Sequence, residues 1–325
     1  MKKIPSHFSS GLVCVLLFAA MLFSPKAVFQ GAEDGLLLWF QIIVPTLFPF
    51  MLIASLLLET GGLSIIAQIL GRPVGAVFAS SRNGSFAILA GFLCGYPMGA
   101  KVTADLVRSH QITPRESAYL LSFCNNTSPI FIMNFIVWKM LGNERLMAPT
   151  LVILLTVPVL LSFLFRRIYL HGQRRFPESY EQTEGPHDVR QSGTGSQKRL
   201  TASSLFDNCM MNGFEAIVKV GGYIIFFSIL IALFEAFPGD SALLSALSPS
   251  LEMTNGILML SRTIPDIRVC YPLILGLASF GGFCSVAQTK CMIQGTGLSI
   301  VPYTIQKLAA ALAASFLGFL YIRLF

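Results

Sequence analysis

Charge is what this sequence has little of. Only 12% of its 325 residues are Asp, Glu, Lys or Arg, against about 25% in an ordinary soluble domain. A further 54% are hydrophobic, and the mean hydropathy is +0.69. Such a chain cannot cover a globule with solvated side chains, which excludes an ordinary soluble domain. The signatures of metal and covalent chemistry are missing too. The seven cysteines have no CxxC spacing, the four histidines are scattered outside the main apolar runs, and neither HExxH nor GxSxG occurs. The stretch GYPMGAK has the glycines and lysine of a phosphate loop but not its order, because Lys101 is followed by Val102 rather than Ser or Thr. An ATPase is excluded on that ground. The chain is expected to carry no metal or other cofactor and not to be an enzyme. The net charge of +7 lies in loops, where basic residues set membrane orientation. No nucleic-acid partner is implied.

What is present is a series of runs near the roughly 20 apolar residues that cross a bilayer. The expected class is an all-α polytopic membrane protein with about six full spans. Residues 11–29 read as a cleaved signal peptide or, preferably, an uncleaved first span. Residues 36–58 form the second, and carry Pro45 and Pro49 one turn apart. Two prolines remove two backbone donors, so this helix kinks for packing or breaks beside a site. Residues 61–82 are too interrupted to cross and read as interfacial. Residues 116–141 and 147–165 supply the third and fourth spans, 216–237 the fifth and 301–322 the last. Between them, 166–205 is the one long hydrophilic segment, a flexible linker whose arginines and lysines place it in the cytosol with both termini. The domain reading is therefore an N-terminal signal-anchor span (1–35), a first repeat (36–165), the linker (166–205) and a second repeat (206–325).

The stretch 84–129 organises the rest. Its apolar run breaks at Gly95-Tyr96-Pro97, meets Lys101, and after a polar return reaches Asn125-Asn126-Thr127-Ser128-Pro129. Breakers and amides persist at membrane depth where they line a protein-enclosed cavity. The second half has a similar order of parts. A weak segment holds Glu252-Met253-Thr254-Asn255-Gly256, and a short run broken at Gly281-Gly282 carries Ser285 and Gln288 and ends at Lys290. Gly91-Phe92-Leu93-Cys94-Gly95 and Gly281-Gly282-Phe283-Cys284-Ser285 resemble one another. Counting spans, the halves would be inverted, each with a re-entrant hairpin. Paired Gly/Pro-interrupted segments of this kind point to a transporter site near the midplane.

At GFLCGYPMGAKVTADL, SFCNNTSPIF and LEMTNG the chain resembles the sporulation integral membrane proteins of the YlbJ type, within the wider gate or nucleoside-recognition superfamily. The resemblance covers the chain from about residue 36 onward, more loosely in the second half. It implies a protein of the outer forespore membrane that moves dipicolinate, with a partner transporting the solute across the inner forespore membrane. It also implies a site built from two re-entrant hairpins and broken helices. In such a site Lys101 and Lys290 would each face one carboxylate of a dianion, or else snorkel to the headgroups. Asn125, Asn126, Thr127, Ser128, Ser285 and Gln288 would supply hydrogen bonds, Asn255 would stand beside them, and Tyr96 would pack on the ring. Gly95, Pro97, Gly281, Gly282, Pro45 and Pro49 would be the hinges and kinks. Glu252 would carry a coupling ion, H+ or Na+, or cap a helix. A nucleoside or other small-solute carrier and a non-transporting sporulation scaffold are the alternatives.

Overall fold

The computed structural model describes residues 6–60, 62–170, 176, 202–236 and 247–324. Among them there are helices and connecting turns and no strand. Residues 171–175 and 177–201 of the expected linker, and the expected turn at 237–240, lie outside the described residues. Five helical stretches are long and apolar enough to cross a membrane: Pro25–Leu57, Glu144–Leu170, Ser204–Ala236, Ile267–Met292 and Ile300–Leu324. Gly11–Phe23 and Pro129–Leu141 are shorter apolar helices. The chain is an all-α polytopic membrane protein, and its spans present apolar side chains to lipid.

Proline and polar residues decide where these helices stop. Helix α1 (Ser6–Phe23) ends before Pro25, which opens α2 (Pro25–Leu38), so the expected first span is divided at Ser24. A wide turn, Trp39–Ile43, joins α2 to α3 (Val44–Glu59), with Pro45 in the first turn of α3 and Pro49 inside it. Pro45 has no N–H to give the carbonyl four residues earlier, and the helix widens there. The short helices α4 (Gly62–Ile69) and α5 (Gly71–Phe78) follow.

Helices α6 (Arg82–Cys94) and α7 (Met98–Arg108) pack against each other as a hairpin with Gly95-Tyr96-Pro97 at its tip. Ser81 caps α6 by accepting from Gly84 N at 3.0 Å. The buried Glu116 carboxylate accepts from Ser81 N at 2.7 Å, placing negative charge at the positive end of α6. Thr113 caps α8 (Pro114–Leu121), with Pro114 in its first turn. The continuous span expected over 116–141 is not formed. Residues 122–128 leave the helix, and α9 (Pro129–Phe131) restarts it, running on as a wide-turn helix over Ile132–Leu141. Pro129 cannot donate backward, and Ser128 is better used as a cap, its Oγ accepting from Phe131 N at 3.2 Å.

Helices α10 (Met147–Leu170) and α11 (Ala202–Ala236) are long and apolar. The C-terminal part holds α12 (Met253–Thr263), α13 (Ile267–Phe280), α14 (Gly282–Met292) and α15 (Ile300–Leu324). Two tight pairs brace the molecule. Helix α2 lies on α11, with Gly31 and Gly35 against Ser228, Ile229 and Ala232, and Trp39 Nε1 donates to the Ile217 carbonyl at 2.9 Å. Helix α15 lies on α13 through Gly276, Ser315 and Gly318, where Ser315 Oγ donates to the Pro272 carbonyl at 3.0 Å. Small residues bring these backbones together, as dispersion packing between helices in lipid requires. On α15, Val301, Ile305, Leu308, Leu312 and Phe316 are exposed, one lipid-facing stripe. The opposite stripe buries Tyr303, Lys307, Ala310, Ala314 and Gly318.

Candidate functional site

The non-helical segment 122–128 passes through the middle of the protein, held by the α6–α7 hairpin. A Cβ on Gly91 or Gly99 would run into the Cys124 carbonyl oxygen, and one on Gly95 would meet the Ser128 backbone. The three glycines thus let two helices and a tip close on a bare strand of backbone. Such a strand has unpaired polar groups that hydrocarbon cannot satisfy, so side chains from both halves supply partners. Asn125, fully buried, accepts from Ala100 N at 3.3 Å through Oδ1. Its Nδ2 lies 3.0 Å from Thr289 Oγ1 and 2.9 Å from Tyr303 OH. Asn126 Nδ2 donates to the Phe123 carbonyl at 2.6 Å. Thr127 Oγ1 donates to the Ala278 carbonyl at 2.6 Å. Tyr96 OH donates to the Ser279 carbonyl at 2.9 Å, tying the hairpin tip to the end of α13.

At this junction sits a residue that sequence reasoning missed. Lys307, from the interior stripe of α15, is 2% exposed. Its Nζ donates to the Asn125 carbonyl at 3.0 Å and to Asn126 Oδ1 at 3.4 Å, and lies 4.9 Å from the centroid of the Tyr96 ring. A signal was available. A lysine seven residues inside an apolar span, one turn after a tyrosine, is an intramembrane ionisable group and by default a candidate site residue.

Beside the junction is a cavity of about 50 Å³, bounded by Tyr96, Thr127, Ser128, Glu252, Ser285 and Gln288, with Ile43, Leu47, Val220 and Ile224 opposite. Three helix beginnings face it: α9 at Ser128, α12 at Glu252–Thr254 and α14 at Gly281–Ser285. Glu252, 4% exposed, caps α12 and accepts from Thr254 N at 3.0 Å and Asn255 N at 2.8 Å. It is thus a cap and a cavity residue at once. Ser285 Oγ donates to the Gly282 carbonyl at 3.0 Å. Gln288 Nε2 lies 3.4 Å from Cys284 Sγ. Gly281 and Gly282 have φ of +84° and +75°, a left-handed corner that separates α13 from α14.

The structure brings Tyr96, Asn125, Asn126, Thr127, Ser128, Glu252, Ser285 and Gln288 to this junction and cavity, and leaves three expected site residues apart. Lys101 pairs with Asp105 at 3.0 Å on the half-exposed face of α7. Lys290 is exposed on α14. Asn255 faces a neighbouring cleft with Asp34, Glu235 and Arg262, its Nδ2 donating to Ser228 Oγ at 2.7 Å. Neither expected lysine reaches the cavity because each sits on the outer face of its helix arm. Of the prolines, Pro45 adjoins the wide turn that brings Ile43 and Leu47 to the cavity wall, and Pro49 lies further along α3.

Interrupted apolar helices around a buried polar junction, beside a small cavity with a largely apolar lining, define the class: a multi-span membrane protein. The chain is similar to the sporulation integral membrane protein YlbJ of Bacillus subtilis (strain 168), at 25% identity over 327 residues, spanning 93% of this chain and 79% of YlbJ. That similarity supports the YlbJ-type family, as the GYPMGAK and SFCNNTSP stretches implied. No protein-family model matches the chain, and no solved structure matches it significantly.

Proposed function

We propose that this chain is a membrane carrier for a small anionic solute, dipicolinate, acting in the outer forespore membrane during sporulation. The observation that carries the reading is the convergence of three helix beginnings on one cavity, with the Lys307 amine one aromatic ring away. Helix N-termini bear partial positive charge, and discontinuous helices present them to carboxylates in membrane carriers; here Ser128 and Glu252 hold first-turn N–H groups of α9 and α12, so a solute carboxylate would take the place of these caps. Glu252, capped into the same wall, is the group placed to carry a coupling ion as the solute enters and leaves. Both termini and the linker would be cytosolic, and a separate protein would take the solute across the inner forespore membrane. The relative's printed description, a sporulation integral membrane protein, fits this setting. In this reading the protein is a carrier and not an enzyme.

The cavity is too small for an aromatic dicarboxylate as it stands. About 150 Å³ accommodates a benzene ring, roughly three times the volume present. In this reading the cavity widens when the solute loads. One observation favours a second reading, a nucleoside or other uncharged polar solute: the charged side chain bordering the cavity is Glu252, while Lys307 lies behind Tyr96.

The test is uptake of labelled dipicolinate by proteoliposomes holding the purified chain, with labelled nucleosides in parallel. Saturable dipicolinate uptake that falls at least tenfold in Ser285→Leu supports the anion reading. Nucleoside uptake in its place supports the second. Folded protein that moves neither overturns both and leaves a membrane scaffold.

A further inference from the structure

We infer that the pocket formed by the Asn125 carbonyl, Asn126 Oδ1 and the Tyr96 ring is a seat for a monovalent cation, and that Lys307 fills it with a tethered ammonium. A helix interrupted inside a membrane protein turns carbonyl oxygens inward. In carriers those oxygens, with neighbouring amide oxygens, are what coordinate a small cation. Here the acceptors are of that kind, one backbone carbonyl and one side-chain amide oxygen, and an aromatic face closes a third side. None is a carboxylate, and among the described residues no carboxylate pairs with Lys307. Lys101–Asp105, Arg108–Asp105 and Lys219–Glu215 show what lysine and arginine do elsewhere in the chain. A lysine present to make an ion pair would face a carboxylate. A lysine present only to fill space would leave Asn125 O and Asn126 Oδ1 to other donors. This one meets the oxygens as a free cation would.

The tether has a consequence for ion dependence. A seat already occupied by a covalently attached ammonium has no room for Na+ or K+, so neither ion is needed to complete the junction. The extension to transport, that solute uptake runs equally well in Na+, K+ or choline salts with the coupling ion at Glu252 a proton, rests on the carrier reading. The seat itself does not, and its test uses no transport. The same Tyr96 ring that closes the seat borders the cavity, so occupancy of the seat and the shape of the cavity share one side chain.

The experiment measures thermal unfolding of the purified full chain in detergent, in choline, sodium, potassium, ammonium and methylammonium chlorides at equal ionic strength. Wild type is expected to unfold at the same temperature in all five. Lys307→Ala, which empties the seat, is expected to lose stability in choline and to recover about 3 °C or more in at least one small cation, as a ligand binding the folded state requires. Lys307→Met, of similar length but without charge, is expected to unfold at least about 3 °C below wild type and to respond to no cation. An Ala variant with no cation-specific recovery overturns the inference. If Lys307→Ala is not recovered folded, the Met variant decides: Lys307→Met as stable as wild type means the amine is incidental and the seat is not there. A carrier that fails every uptake assay leaves these outcomes unchanged, so the two failures are distinguishable.

Discussion

The two broken elements that meet at the site begin from similar sequence and do opposite mechanical work. In the first half the Gly-Phe-Leu-Cys stretch ends α6, and the chain turns at Gly95-Tyr96-Pro97 so that α7 folds back along it. In the second half Gly-Phe-Cys opens α14, and the turn at Gly281 precedes it. There the arms part company. Helix α13 packs chiefly on α15, and also on α12, whereas α14 packs chiefly on α11 and α7 and more lightly on α15 and α12. The first break is thus a closed clamp on residues 122–128, and the second is an open corner whose arms do not pack along each other. A shared motif does not fix the geometry of a break; what each arm finds to pack against does.

If the first break is a clamp, Gly91→Ala should be the most damaging single change. Its Cβ would overlap the Cys124 carbonyl, and backbone cannot yield as a side chain can. We expect a loss of about 3 kcal/mol or more, seen as failure to recover monodisperse protein; a well-folded Gly91→Ala would show the clamp to be slack. Next comes Asn125→Leu, which strands Ala100 N and leaves Thr289 and Tyr303 only each other as partners. About 2 kcal/mol should be lost, and Thr289→Val combined with it should cost less than the sum of the two, in a double-mutant cycle of unfolding free energies.

Gly281→Ala should slow uptake at least tenfold; positive φ costs about 1–2 kcal/mol, and the added Cβ, which meets Ser285 Oγ and the Tyr96 ring, adds to that cost. Equal damage to both would make the corner purely structural. Glu252→Gln keeps the cap's shape and removes its charge. We expect stability to fall by about 1 kcal/mol and coupled uptake to fall more steeply; an unchanged uptake rate and coupling would return Glu252 to capping alone. The smallest effect is expected for Lys101→Ala with Lys290→Ala. The Lys101–Asp105 pair is half-exposed and worth about 0.2–1 kcal/mol, and uptake should stay within twofold. A larger loss would bring both lysines back to the solute.

The comparison also separates what the sequence made legible from what it did not. Membrane class follows from the scarcity of charge. The breaks at Gly95-Tyr96-Pro97 and Gly281-Gly282 follow from residues that cannot continue a helix, and Asn125-Asn126 stood out because paired amides are costly in lipid. The interruption at 122–128 was hidden, because Phe123 and Cys124 extend the apolar pattern of a span; the clamp, a tertiary contact, unwinds it. Lys307 was visible as an ionisable group within a span, but its direction was not. A lone lysine two turns into a span has the same sequence appearance whether it reaches the headgroups or turns inward. Only the stripe of small residues that docks α15 on α13 decides which side it faces. Lys101 and Lys290 matched in spacing, yet spacing along the chain does not say which side of an arm meets the cavity.

The fit of Gly91 and Gly99 to the Cys124 backbone has a consequence for protein engineering. The segment that carries Thr127 and Ser128 to the cavity is set by a die of fixed dimensions behind it, because any enlargement of Gly91 or Gly99 collides with main chain. Retuning this protein toward a bulkier cargo is therefore a task for the side chains across the cavity, Ile43, Leu47, Val220 and Ile224. A library confined to those side chains would vary the cavity while the framework that shapes it stayed as it is.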